Sequence, residues 1–264
     1  MKQPDSYRYR AVITGAGGGI GAAIARELAP LCDSMVLVGR RPAPLHALRA
    51  ELPLPVQLVC GDLTETSTLA EINAAAARHG SLNLLINNAG VSDFHTFATQ
   101  SPETIRQLLD TNLLAPMLLT QQLLPLLHTA PAAQIVNIGS VFGMLGFPGF
   151  AAYGASKAGL HGFSQALRRE LADTNIAVRY FAPRATSTGI NSTEVNAMNK
   201  ALGTAEDSPE HVAAALIRFL SEQSWRRTLG RKERFFVLLN QLLPALPDNA
   251  LRKQLQVIRQ YLPT

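Results

Sequence analysis

Apolar residues follow two rhythms along this chain of 264 residues. Short β-rich runs occur at YRYRAVIT (7–14), SMVLVGR (34–40), PVQLVC (55–60), LNLLIN (82–87), AQIVNIGS (133–140) and IAVRYFA (176–182). Several are almost continuously apolar, as central parallel strands buried on both faces must be. Between them, longer stretches at 19–29, 42–52, 66–79, 101–127, 151–173 and 208–223 carry helical patterns. Two of these open on strong start signals. Ser101-Pro102-Glu103-Thr104 and Ser208-Pro209-Glu210-His211 each place serine at the N-cap, proline at the first helical position and glutamate in the first turn. Such alternation predicts an α/β fold, a Rossmann-type doubly wound parallel β-sheet flanked by helices with right-handed crossovers. Without an internal repeat, low-complexity tract or Gly/Ser linker, the reading is a single domain over 1–230 with a helical C-terminal extension over 231–264.

Composition narrows the function classes only a little. Hydrophobic residues make up 47% and charged ones 16%, too apolar for disorder and enough for a sizeable core. The net charge of +5 permits anionic cofactors, membranes or nucleic acid and selects none of them. A basic stripe interleaved with aromatics is missing, which argues against nucleic acid. The six histidines, at 46, 79, 95, 128, 161 and 211, show no metal-ligand spacing, so no metal is expected. Cys32 and Cys60 lie in apolar surroundings and read as two buried thiols of a reducing compartment. The polar N-terminus MKQPDSYRYR gives no sign of a signal peptide, and no apolar run approaches the ~20 residues needed to span a bilayer. The expected location is cytoplasmic.

Chemistry enters with Thr14-Gly15-Ala16-Gly17-Gly18-Gly19-Ile20-Gly21, between the first strand and first helix. Glycines there let the backbone turn tightly and approach a pyrophosphate at a helix N-terminus. The position in a βαβ unit makes dinucleotide binding the better reading, with Gly15, Gly17, Gly18, Gly19 and Ile20 as contacts. The second strand ends Val38-Gly39-Arg40-Arg41, where an NAD-preferring site usually has an acid. Arginine suits a 2′-phosphate instead, so Arg40, with Arg41 as support, points to NADP(H). Tyr153 and Lys157 fall at i and i+4 on one helix face. A tyrosine with a pKa near ~10 is a reluctant base, and a neighbouring ammonium favours its phenolate. Ser140 ends the fifth strand thirteen residues earlier, where its hydroxyl can reach a substrate oxygen.

With Asn87-Asn88-Ala89-Gly90 after the fourth strand and Asn112 in the long helix, these motifs resemble the short-chain dehydrogenase/reductase family, in its TGxxxGxG, NNAG and Ser…YxxxK branch. The likeness covers residues 8 to about 190, five motifs in order at the usual spacing. It implies a catalytic tetrad of Asn112, Ser140, Tyr153 and Lys157. Tyr153 is then the acid/base, Lys157 lowers its pKa and binds the nicotinamide ribose, Ser140 orients the substrate, and Asn112 holds a water of the proton relay. It also implies adenine contacts at Asp62 and Leu63 and ribose contacts at Asn88, Ala89 and Gly90. Asp62 also reads as a helix cap after the third strand. A homodimer through the long helices 101–127 and 151–173 is expected by the same resemblance, a tetramer less securely.

Two departures from the family stand out. After the sixth strand the chain reads Pro183-Arg184-Ala185-Thr186-Ser187-Thr188. Pro183 and Thr188 fit nicotinamide and phosphate contacts, but Arg184 replaces the family's glycine. It suits an anionic ligand group and a carboxylate of the fold equally. Residues 189–207 are polar and irregular in pattern and fall at the family's substrate lid. Phe94, Phe147, Phe150, Met144 and Met198 suggest an apolar pocket nearby, although plain core packing is the simpler reading of each. The second departure is the C-terminus. Arg226, Arg227, Arg231, Lys232 and Arg234 precede the apolar Phe235, Phe236, Val237, Leu238, Leu239, Leu242 and Leu243. That order suits a helix packed on the domain, a lid over a greasy substrate, or peripheral contact of 226–264 with an anionic membrane. The expectation is an NADP(H)-dependent enzyme interconverting a carbonyl and a secondary alcohol, by ketone or 3-oxoacyl-type reduction of a hydrophobic small molecule. A non-catalytic NADP(H) sensor or a membrane-surface protein is the alternative.

Overall fold

Strand β1 (Tyr9–Thr14) is buried along most of its length, as a strand with neighbours on both edges and helices on both faces must be. β2 (Cys32–Gly39) lies on one side and β4 (Leu84–Asn87) on the other, both parallel to it. With β3 (Val56–Cys60), β5 (Ala133–Ile138), β6 (Ile176–Ala182) and β7 (Arg226–Thr228), they form one parallel sheet of seven strands in the order β3-β2-β1-β4-β5-β6-β7. The order reverses between β1 and β4, and ligands of open α/β sheets bind at the carboxyl ends of strands flanking such a point. The computed structural model describes residues 8–78 and 80–263. Tyr7 of the first predicted strand, the polar N-terminus before it, His79 of the third predicted helix and Thr264 lie outside the described residues.

Each face of the sheet has its own apolar layer. On one, α1 (Gly19–Leu28), α2 (Pro42–Glu51) and α8 (Pro209–Leu220) bring Ile24, Leu45 and Phe219 against Ile13, Leu37 and Ile86. On the other, α3 (Thr66–Arg78), α5 (Ala115–His128) and α6 (Ala151–Glu170) bring Ile72, Leu123 and Leu167 against Val12, Leu85 and Ile135. The predicted N-caps form: Ser101 accepts from the Thr104 N–H at 3.1 Å, opening α4 (Pro102–Leu109), and Ser208 from His211 at 3.1 Å. The long helix expected over 101–127 is interrupted by a wide π-type turn at Asp110–Leu114, which carries Asn112.

Two expectations need correction. Residues 189–207, read as irregular, contain a helix, α7 (Thr193–Ala201), capped by Ser192. Polar residues on its outer side mask its short buried face of Val195, Met198 and Asn199. The C-terminal extension is helical as expected, in α9 (Arg231–Leu242) and α10 (Ala245–Tyr261), divided near Pro244, which cannot continue α9. Cys32 is buried but Cys60 is exposed, because it ends the edge strand β3 beyond the cover of the flanking helices.

Candidate active site

The glycine turn is held by a latch that its motif did not announce. The Thr14 hydroxyl accepts N–H groups from Asn88 and Ala89, each at 3.0 Å. The Asn88 amide in turn donates to the Thr14 and Gly15 carbonyls at 2.9 and 3.3 Å. Gly15 has φ +66°, and a Cβ there would stand 2.8 Å from the Ala89 backbone. So close an approach in a left-handed conformation admits only glycine. Asn88 and Ala89 therefore fix the turn, besides standing where a nucleotide would pass. At its far side Thr188 reaches Gly19 closely enough that a Cβ on Gly19 would meet its methyl at 3.2 Å. Gly18 has open space before it. A cavity of about 330 Å³ borders Gly17–Gly19 from the side of Arg26, Pro44, Glu51 and Glu210. It reaches neither Asp62 nor Tyr153 and is the back of the turn.

Arg40 and Arg41 are exposed just past β2. Asp62 follows β3, next to β2, and its carboxylate accepts from the Thr64 N–H at 2.9 Å and hydroxyl at 2.8 Å. These hydrogen bonds, with a smaller contribution from the Arg40 charge, hold its pKa below the usual carboxylate value. Asp62 therefore closes the turn that leads into α3. A cation and an acceptor thus face the same space at the ends of neighbouring strands, with Leu63 half-buried beside them.

The second group of residues collects at the ends of β4 and β5. Asn112 is buried in the π-type turn; its amide donates to the Val91 carbonyl at 2.9 Å and the Ser156 hydroxyl at 3.0 Å, and its oxygen accepts from the Val91 N–H at 2.8 Å. Four residues on stands Pro116, which has no N–H to give the Asn112 carbonyl. Ser156 donates onward to the Tyr153 carbonyl at 2.7 Å. The Lys157 ammonium lies beside Gly90, donates to the Ile138 carbonyl at 3.1 Å and sits 6.0 Å from the Tyr153 ring centre. Burial lowers its pKa to about 8. Ser140 caps a short turn by accepting the Phe142 N–H at 3.1 Å.

Here the structure revises the sequence argument. Burial raises the pKa of Tyr153, and the hydrogen bond from Ser140 only opposes that rise. Lys157 is turned to Ile138 rather than to the phenol, so desolvation outweighs the expected pull of the ammonium. Sequence reasoning also missed Tyr180. It is fully buried in β6, with its hydroxyl between the Ser140 backbone N–H (3.3 Å) and the carbonyls of Ser140 and Lys157 (3.4 Å each). It ties the Ser140 loop to the helix of Tyr153. Nothing in the alternation of IAVRYFA marks it, since an inward aromatic is ordinary there.

Beside Tyr153 the structure gathers an apolar cluster. Phe94, Phe150, Val195, Met198 and Ile258 are buried together, with Phe142, Phe147, Tyr153, Tyr261 and Leu262 packed against them. The Phe150 ring meets Tyr153 edge-on at 5.9 Å. Met144 is elsewhere, with Leu160 and Trp225, and its carbonyl accepts from Asn240 of α9 at 3.1 Å. Helix α7 and the end of α10 thus wall one side of the tyrosine. Arg184 pairs with Asp207 through two bonds of 2.9 and 2.7 Å and lies 3.7 Å from Glu233. Of its two readings, the carboxylate partner holds, and the residue joins the end of β6 to Asp207 and to α9.

The model of the short chain dehydrogenase family matches residues 9–199, and the chain belongs to that family. It is an oxidoreductase of that family, like its relatives. It is 33% identical to a 3-oxoacyl-[acyl-carrier-protein] reductase of Rickettsia bellii over 220 residues, 81% of this chain and 90% of the relative. It is 34% identical to an acetoacetyl-CoA reductase of Acinetobacter sp. over 227 residues, 80% and 90% of the two chains. A solved short chain dehydrogenase/reductase of Burkholderia phymatum, in complex with NAD, shares the fold with TM-score 0.82 at 23% identity, over 92% of this chain and 96% of its own.

Proposed function

We propose that this protein is an NADP(H)-dependent reductase of a hydrophobic ketone or 3-oxoacyl-type substrate, with Tyr153 as the proton donor. The observation that carries this reading is the position of Tyr153, between the Ser140–Lys157–Asn112 group and the cluster of Phe94, Phe150 and Met198. When bound along the glycine turn, NADPH supplies the hydride for the carbonyl carbon. The open face at Gly18, the Thr188 contact and the exposed Arg40 fit its phosphates, with Ile20, Leu63, Gly90 and Pro183 along the same path.

The raised pKa of Tyr153 keeps the phenol protonated at neutral pH, which suits donation to the oxygen of a carbonyl being reduced. The proton leaves the Tyr153 hydroxyl for the substrate oxygen, and the phenolate left behind is the base for the reverse direction. The Ser140 hydroxyl orients that oxygen. Lys157 exchanges Ile138 for the nicotinamide ribose and lends its charge to the phenolate. Both N–H groups of the Asn112 side chain are engaged by Val91 and Ser156 and its oxygen by the Val91 N–H, so its backbone carbonyl, deprived of an α-helical donor by Pro116, is the group that holds the relay water. Residues 189–207 act as the substrate lid, the end of α10 around Ile258 and Tyr261 closes beside it, and the molecule works as a homodimer in the cytoplasm.

The test titrates NADPH and NADH by fluorescence, then follows NADPH oxidation with apolar ketones and β-ketoacyl thioesters. Tyr153→Phe is expected to abolish turnover with nucleotide binding intact. Arg40→Ala is expected to cost roughly tenfold or more in NADPH affinity and little in NADH affinity. Equal affinity for the two nucleotides would overturn the NADP assignment, and undiminished turnover by Tyr153→Phe would overturn the proton donor.

A further inference from the structure

Charge is segregated in this molecule. Residues 226–263 hold eight Lys/Arg against only Glu233 and Asp248, a net of +6, more than the +5 of the entire chain. Exposed apolar side chains concentrate in the same place. Of twelve large hydrophobics exposed among the described residues, six lie between Phe235 and Leu246.

On α9 these features form one stripe. Phe235, Leu238 and Leu242 recur at three and four residues and are 61%, 54% and 69% exposed. Arg231 and Arg234 stand one turn earlier on the same stripe, four residues before Phe235 and Leu238, and both are exposed. The helix's one carboxylate, Glu233, turns inward to Arg184. Only Val237 of α9 is buried. Against this face opens a cavity of about 250 Å³, lined by Arg226, Arg227 and Arg234, by the carboxylate of Glu222 that Arg227 neutralises, and by Val237 and Leu238. Arg227 is paired with Glu222, and Arg226 stacks on Trp225. Arg234 has no carboxylate partner among the described residues.

We propose that α9 docks the protein on an anionic phospholipid surface, with Phe235, Leu238 and Leu242 in the acyl boundary and the arginine cavity against a headgroup phosphate. Apolar side chains flanked by the exposed cations Arg231 and Arg234 need an occupant that is greasy and negative at once, and an anionic bilayer is both. A second copy of this chain would press like charges together. It also has a separate exposed apolar face available, at Leu109, Leu114 and Leu118. Nucleic acid would satisfy the arginines and leave the leucines in water. Among the described residues no helix is long and apolar enough to cross a membrane, so the contact is peripheral. The inference does not depend on the catalytic reading, since no residue of this face belongs to that site.

The experiment is co-sedimentation of the full chain with vesicles of phosphatidylcholine alone and of equal parts phosphatidylcholine and phosphatidylglycerol. Partition is expected to be roughly tenfold or more higher on the anionic vesicles and to fall with salt. Leu238→Asp with Leu242→Asp is expected to abolish it. Arg231→Gln with Arg234→Gln is expected to erase the anionic preference while leaving the melting temperature and NADPH oxidation unchanged. Equal partition on both vesicles, or none on either, overturns the proposal. So does vesicle binding that survives the aspartates. If instead the aspartates turn a dimer into a monomer in sedimentation, the face belongs to a second copy, and the lipid assignment fails.

Discussion

Lys157 is the site residue that the fold holds charged at the greatest cost. Its pKa falls from 10.5 to about 8 because its ammonium is buried with a single carbonyl partner. A cation with a depressed folded pKa destabilises the native state while it stays protonated there. The penalty is therefore complete below pH 8 and shrinks as pH rises from 8 to 10.5, where the native protein has released a proton that the unfolded chain still binds. A shift of that size corresponds to about 3 kcal/mol. Lys157→Met should therefore raise the melting temperature of the nucleotide-free protein by several degrees at pH 7 and by progressively less toward pH 10.5, while turnover falls at least a hundredfold. Scanning calorimetry of both proteins across pH checks the sign. A melting point lowered at pH 7 would mean that the Ile138 bond outweighs desolvation. Gly139 offers a second test at this scale. A Cβ there would collide with the Tyr180 ring, which braces Ser140 and the Lys157 carbonyl. Gly139→Ala should cost about 2–3 kcal/mol and lower kcat more than it changes KM. Unchanged stability would show that the ring can shift without cost.

At the scale of elements, sequence was legible where a segment repeats one pattern long enough. The six predicted strands and the helices between them appear with ends displaced by a few residues. Asn112, Ser140, Tyr153 and Lys157, singled out because motifs keep chemistry at fixed spacing, lie together at the ends of β4 and β5. β7 was not legible, since Arg226-Arg227-Thr228 is three polar residues recruited by the edge of β6. The clamp made by Arg184, Asp207 and Glu233 was not either, because its members lie far apart in sequence and meet only when β6, the 189–207 segment and α9 are assembled. That clamp carries a prediction. Asp207 is only 7% exposed, so Arg184→Ala would leave a buried carboxylate without its cation. The expected loss is about 2 kcal/mol, with proteolytic nicking in 187–207 before the rest of the chain is cut. Limited proteolysis resolves this, and a variant as resistant as the parent would show that α7 is held by its apolar face alone.

For the whole molecule, the question is how two exposed apolar faces divide their work. One lies on α9 and is ringed by cations. The other runs along the α4–α5 rod, where Leu109, Leu114 and Leu118 are 36%, 46% and 41% exposed. Glu103 and Arg106 pair at 3.7 Å within this rod, and Asp110 follows one turn later. Its charges are therefore of both signs, which suits a face that pairs with its own copy. The rod also carries Asn112 and packs on α6, the helix of Tyr153 and Lys157. Two-fold pairing here would bury the leucines and brace the π-type turn from outside. Leu114→Asp with Leu118→Asp should convert a dimer into a folded monomer, because a stable interface of roughly 1,000 Å² or more does not tolerate two unpaired carboxylates at its centre. Light scattering after gel filtration gives the mass, and circular dichroism confirms the fold. If the rod also braces the turn, the monomer should turn over more slowly with its nucleotide affinity unchanged. A parent protein that already runs as a monomer at micromolar concentration would refute the pairing and leave these leucines without a partner.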